Sequence, residues 1–94
     1  MALLSDDQIE QGLSGSDWRR EGDAVTRDFK VENFAAAMAF VNQVAQMAED
    51  ANHHPDILVH GWNKVRLTLS THSQGGITQA DLDLARGIDG LGVG

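Results

Sequence analysis

The strongest constraint on the fold is an amphipathic stretch that runs out just before the chain's only proline, Pro55. Phe34, Ala37, Met38, Val41, Val44, Ala45 and Ala48 recur at spacings of three and four, which predicts a helix opening near Asn33 with that stripe buried against a sheet. Asn52 and Pro55 mark its end, because a proline ring clashes with the helical conformation of the residue before it and drives His54 toward an extended one. The chain must therefore turn at His53 and His54.

On both sides of this helix the pattern changes to alternation. From Asp17 to Val31 the sequence reads as two strands around a turn at Glu21-Gly22-Asp23, with Val25, Phe29 and Val31 on one face. Ile57-Leu58-Val59 begins a third strand, and Val65, Leu67 and Leu69 alternate with Lys64, Arg66, Thr68 and Ser70 in a fourth. Ser5-Asp6-Asp7 offers N-caps for a short first helix carrying Ile9 and Leu13, ended by Gly12 or Gly15. A last helix starts at Thr78, where Thr78-Gln79-Ala80-Asp81 has capping-box spacing and Ile77 can staple onto Leu82; Leu84, Ala85, Ile88 and Leu91 form its apolar stripe. Gly90 to Gly94 reads as a frayed tail. The order α-β-β-α-β-β-α predicts an α+β fold, a four-stranded, largely antiparallel sheet with helices on one face.

The 94 residues suit one compact domain, residues 1–94. Chains this short bury only somewhat over ~60% of the surface that unfolding exposes, so oligomerisation is a natural supplement to the core. A formal charge of -7, with seven scattered basic residues, leaves no footprint for gripping phosphate backbones and predicts no direct nucleic-acid binding. No apolar run approaches the ~20 residues that span a bilayer, and the first residues lack the basic stretch of a signal peptide, so a cytoplasmic location is expected and no membrane partner. With no cysteine, chemistry falls to His, Asp, Glu, Ser and Thr.

Three short regions could hold reactive groups: Glu49 to Asp56, the strand end Ser70-Thr71-His72, and the helix start from Thr78 to Asp81. Neighbouring side chains diverge on regular elements, so His53 and His54 can share a site only where the backbone is irregular, and Pro55 supplies that irregularity. Histidine suits acid–base work near neutrality, because one ring can donate while another accepts. The plainer readings stand beside this one. A His-His pair before proline can be only a polar helix terminus, and Asp81 only a capping carboxylate. Two or three histidines with Glu49 or Asp56 could also ligate zinc, although adjacent histidines rarely chelate one ion. Trp18 and Trp62 read as core or interface rings, Arg19-Arg20 as a solvated strand edge and His60 as an exposed strand residue.

The run Asn52-His53-His54-Pro55-Asp56, then Trp62 to His72 ending in Ser70-Thr71-His72, then Gly76-Ile77-Thr78-Gln79-Ala80-Asp81 resembles the pterin-4a-carbinolamine dehydratase family. The likeness extends upstream through Trp18, Thr26-Arg27-Asp28-Phe29 and Phe34 to Glu49. It implies conversion of the 4a-hydroxytetrahydropterin released by aromatic amino-acid hydroxylases into quinonoid dihydropterin and water, with no metal or organic cofactor. Carried over by position, the active-site histidines are His53, His54 and His72, with Glu49, Asp56 and Asp81 orienting rings or holding the pterin. The resemblance also implies homodimers or homotetramers. Some animal relatives act as dimerisation partners of a homeodomain transcription factor, so the alternative is a non-enzymatic interaction module working through its helix surfaces. Trp62 stands where the family often has tyrosine, and Arg19 to Asp23 matches it only loosely.

Overall fold

The computed structural model describes residues 2–93. Along the chain run α1 (Asp6–Leu13), β1 (Arg19–Glu21), β2 (Ala24–Lys30), α2 (Phe34–Ala51), β3 (Asp56–His60), β4 (Lys64–Leu69), a single 3₁₀ turn (His72–Gln74) and α3 (Gln79–Asp89). The four strands form one sheet in the order β1-β2-β4-β3, every neighbour antiparallel. This is the α+β architecture expected from the sequence.

Alternation along the strands separates the two faces of the sheet. Val25, Phe29, Val65, Leu67 and Leu69 fall on one face and are buried, whereas Asp28, Leu58 and Arg66 project from the other. Ile9 of α1, Phe40 and Val44 of α2, and Leu82 and Ile88 of α3 join the same buried cluster, so the helices cover the first face. The open face carries an ion network instead, in which Arg66 donates to Asp28 at 2.7 Å and Arg19 reaches the same carboxylate at 3.1 Å.

The stripe that α2 buries is Ala37, Phe40, Val44 and Ala48. It is rotated from the one the spacing suggests, since Ala45 is exposed, Phe34 is 54% exposed and Met38 38%. Alanines at 35, 36, 37 and 39 make several faces of this helix nearly equivalent, so its large ring decides which one meets the sheet. Phe40 packs 4.7 Å from Phe29, centroid to centroid. Gly12 lies inside α1 rather than at its end, and a Cβ there would collide with the Leu82 side chain, so its absence lets α1 lie against α3. Gly15, with φ +75°, is the glycine that follows the helix.

Trp18 is buried and donates from Nε1 to Asp89 at 2.8 Å, an oxygen that also accepts from Arg27 Nη1 at 2.5 Å. Trp62, by contrast, is 60% exposed, with φ +58°, in the turn joining β3 to β4, and so is not a core ring. The tail is not free up to Val93: Leu91 and Val93 pack against the core, and Arg27 Nη2 donates to the Val93 carbonyl at 3.4 Å. Among the described residues no helix is long and apolar enough to cross a membrane.

Candidate active site

The reversal after α2 is built by its last residues. Asn52 takes the left-handed conformation, φ +48°, that commonly closes a helix, and the His53 N–H returns to the Ala48 carbonyl at 3.0 Å. Pro55 then starts the chain toward β3. At this corner the two adjacent histidines leave in different directions, and each meets its own carboxylate.

His53 turns inward. Its side chain is 15% exposed, and its Nε2 lies 2.5 Å from Oδ1 of Asp81, which is 0% exposed. Asp81 is held from its other oxygen, where Oδ2 accepts the Thr78 backbone N–H at 2.9 Å and the Thr71 hydroxyl at 2.8 Å. The Thr78 contact is the carboxylate half of the capping arrangement anticipated at the start of α3, and a negative charge there also meets the positive end of the helix dipole. One carboxylate therefore caps α3 and ties it to the chain reversal after α2.

His54 turns outward. Its Nε2 pairs with Oε2 of Glu49 on the last turn of α2, with the two side chains 58% and 70% exposed. A carboxylate can only accept, so in each pair the imidazole donates from Nε2 and presents Nδ1 elsewhere.

His72 opens the 3₁₀ turn after β4 and is exposed; its carbonyl accepts from the Gly75 N–H at 3.2 Å, and its imidazole has no hydrogen-bond partner among the described residues. Its neighbour Thr71 and His53 occupy the two oxygens of Asp81, which brings this strand end to the reversal at His53. The β3–β4 register agrees: Asp56 faces Thr68, and continuing that ladder leads His54 toward Ser70 and His53 toward Thr71. Asp56 itself is exposed at the first position of β3 and contacts neither imidazole, so of the three carboxylates singled out in the sequence, Glu49 and Asp81 meet a histidine and Asp56 does not. His60, at the far end of β3, lies opposite Lys64.

A groove of about 530 Å³ between α2 and α3 reaches His53, with Met47, Ala51 and Leu84 as apolar walls and Asp50 and Asp83 at its border; neither His54 nor His72 lines it. Among the described residues no three His, Cys, Asp or Glu side chains converge as a metal ion would require. Sequence reasoning passed over Thr71 and Thr78 as individual contributors. Their polar character next to apolar residues at a strand end and a helix start was the available signal.

The family model described as pterin 4 alpha carbinolamine dehydratase matches residues 2–91. A Nocardia farcinica protein, provisionally named a pterin-4-alpha-carbinolamine dehydratase, is 53% identical over 90 residues, covering 95% of this chain and 94% of its own. A Thermomicrobium roseum protein with the same provisional name is 51% identical over 89 residues, 92% of each chain. Among solved structures, a transcriptional coactivator/pterin dehydratase from Brucella melitensis superposes with a TM-score of 0.90 at 32% identity, covering 96% of this chain and 98% of that one. A pterin dehydratase-like protein described as a RuBisCO assembly factor in the alpha-carboxysome superposes with a TM-score of 0.69 at 25% identity, over 82% of this chain and 90% of that one.

Proposed function

The chain belongs to the pterin 4 alpha carbinolamine dehydratase family, and on that premise we propose that it dehydrates 4a-hydroxytetrahydropterin to quinonoid dihydropterin and water. The observation that carries this reading is the pair of imidazoles at one chain reversal, each tethered through Nε2 to a separate carboxylate. In the reaction the C4a–O bond breaks, the N5–H proton is taken by a base, a C4a–N5 double bond forms, and an acid protonates the departing hydroxide so that it leaves as water. Acid and base each contribute typically ~10²–10⁴-fold.

In this reading His53 is the base. Its Nδ1 takes the N5 proton, and the buried Asp81 faces the imidazolium that results. His54 or His72, both open to solvent, protonates the leaving oxygen, and the remaining imidazole holds the pterin's polar edge. Glu49 and Asp81 orient rings, and Asp56 is a weaker candidate for holding the pterin. The reaction needs no metal or organic cofactor, and the enzyme recycles the pterin of aromatic amino-acid hydroxylases in the cytoplasm as a single domain spanning residues 1–94. Stopped-flow dehydration of enzymatically generated 4a-hydroxypterin tests it. Replacing His53, His54 or His72 by Ala should slow dehydration severely while leaving the fold intact, and three fully active variants would end the proposal.

The strands β1 and β3 leave two open edges, and Leu58 on β3 is 50% exposed. We propose at least a dimer, since pairing an edge across a two-fold axis protects it. Sedimentation as a compact monomer at micromolar concentration would overturn this. The names of the two structural neighbours favour one second reading, an interaction or assembly module. Such a role has no physical need for tethered imidazoles, so a protein inert toward the carbinolamine would move the balance to it.

A further inference from the structure

We infer that the end of the open sheet face beside the β3–β4 turn is a binding site for a phosphate dianion, free or as a small monoester, held by Lys30, Lys64 and Arg66 with His60 beside them. The inference is independent of the dehydratase reading, because this row stands at the opposite end of β3 from the reversal that carries His53 and His54.

Strand register assembles the row. Lys30 of β2 lies directly opposite Lys64 of β4, and Lys64 lies directly opposite His60 of β3, so one line across three strands carries two ammonium groups and an imidazole. Like charges directly opposite each other on a sheet are destabilising. One row further in, the same face shows the ordinary solution, with Asp28 opposite Arg66 and accepting from its Nε at 2.7 Å. Neither lysine has such a partner among the described residues. Asp28 and Glu21 are engaged by arginines, and Asp56 stands at the other end of β3. Arg19, Lys30, Lys64 and Arg66, four of the chain's seven basic residues, thus share one face of a protein whose net charge is -7, although the sequence scatters them.

The row borders a hollow of about 310 Å³ lined by Asp28, Phe29, Lys30, His60, Lys64 and Arg66, at the small end of the cavities that take small ligands. Its donors are free. Among the described residues Arg66 is hydrogen-bonded only through Nε, which leaves both Nη groups, and the edge of a guanidinium matches two oxygens of a phosphate. Lys64 leans over the turn, with Nζ 3.6 Å from where a Cβ would stand on Gly61, so its ammonium is close to the chain reversal that follows His60. Two ammonium charges without a counter-charge match a dianion. A monocarboxylate would leave one of them over.

The test is a ¹H–¹⁵N NMR titration of the full chain at fixed ionic strength and about pH 8, where a phosphate is a dianion. Inorganic phosphate and glycerol 3-phosphate are the probes and acetate the control, on the wild type and on Lys30→Gln, Lys64→Gln and Arg86→Gln, all three at exposed positions. A phosphate should shift the amides around Lys30, His60, Lys64 and Arg66 and saturate below about 10 mM, and acetate should not. Each lysine variant should weaken binding by about 10-fold, the scale of one hydrogen bond to a charged group. Arg86→Gln removes the same charge from α3 and should bind as the wild type does. Tighter binding of glycerol 3-phosphate supports a phosphorylated metabolite as the ligand, and equal or tighter binding of inorganic phosphate supports the free ion. No saturable shift, shifts centred elsewhere, an equal loss in Arg86→Gln, or saturation by acetate overturns the inference. So does a single-stranded oligonucleotide that binds this row when neither phosphate does.

Discussion

His53 and His54 are adjacent in the chain and make the same kind of bond, Nε2 to carboxylate, yet the two pairs belong to different physical regimes. His53 and Asp81 meet at the packed junction of α2 and α3, with the carboxylate 0% exposed and its second oxygen held by Thr71 and Thr78. His54 and Glu49 meet at the surface, five residues apart across the end of one helix, with both side chains more than half exposed. Water can substitute for either partner in the second pair. In the first it cannot, because breaking the contact strands buried polar atoms whose desolvation has no compensation. The same bond therefore fixes a ring in one place and only biases it in the other.

The largest effect that could break this contrast is catalytic. His53→Ala should lower the dehydration rate by about 10²–10⁴-fold, the range of a lost general acid or base, and the loss at His54→Ala should be smaller because solvent reaches that position. Stopped-flow kinetics on both variants checks it, and equal losses would show that burial does not separate the two roles.

Next comes stability. Asp81→Ala leaves the Thr78 N–H, the Thr71 hydroxyl and the His53 ring without their acceptor and should cost about 3 kcal/mol in urea unfolding. Glu49→Ala should cost no more than about 1 kcal/mol. Repeating both melts in 1 M salt sharpens the comparison, since screening should erase most of the Glu49 effect and little of the Asp81 effect.

The smallest effect calibrates the exposed class. On the open face of the sheet, the hydrogen bond from Arg66 is the largest influence on the Asp28 carboxyl, and together with the charge of Arg66 and the hydrogen bond and charge of Arg19 it outweighs the opposing desolvation and holds that carboxyl below the usual carboxylate range. A carboxyl depressed in the folded state contributes stability that is present above its unfolded value and is lost as pH falls through the folded one. Asp28→Asn should therefore be slightly less stable than the wild type above about pH 4 and converge with it in stronger acid. Parallel acid titrations of unfolding check this, and a difference that does not shrink as the acid is strengthened would contradict it.

Much of the fold was legible in the residues. Period-two and period-three-to-four patterns gave the order of elements, and Asn52 with Pro55 gave the end of α2 to the residue. The orientation of α2 was not legible, because alanine is so small that hydrophobic spacing alone could not rank Phe34 and Met38 against Phe40. For Trp62 the sequence left core and interface open, because aromatic size argues for burial of either kind, and only the turn between β3 and β4 reveals that it projects outward from this chain's core. At the candidate site, the three histidines and the carboxylates Glu49, Asp56 and Asp81 were named on the resemblance; the structure pairs Glu49 and Asp81 each with an imidazole, and Asp56 with none.

Local chemistry is written in the chain itself: where α2 must stop, where two imidazoles are forced off a regular helix, and which residue types are available for proton transfer. Partnership is not. Asp81 lies 28 residues from His53 and 10 from Thr71, and nothing in those spacings tells which ring it serves or that its other oxygen is occupied. That is settled when α3 packs against the end of α2 beneath the sheet, because burying a carboxylate requires every donor around it to be in place at once, and only the assembled fold supplies them.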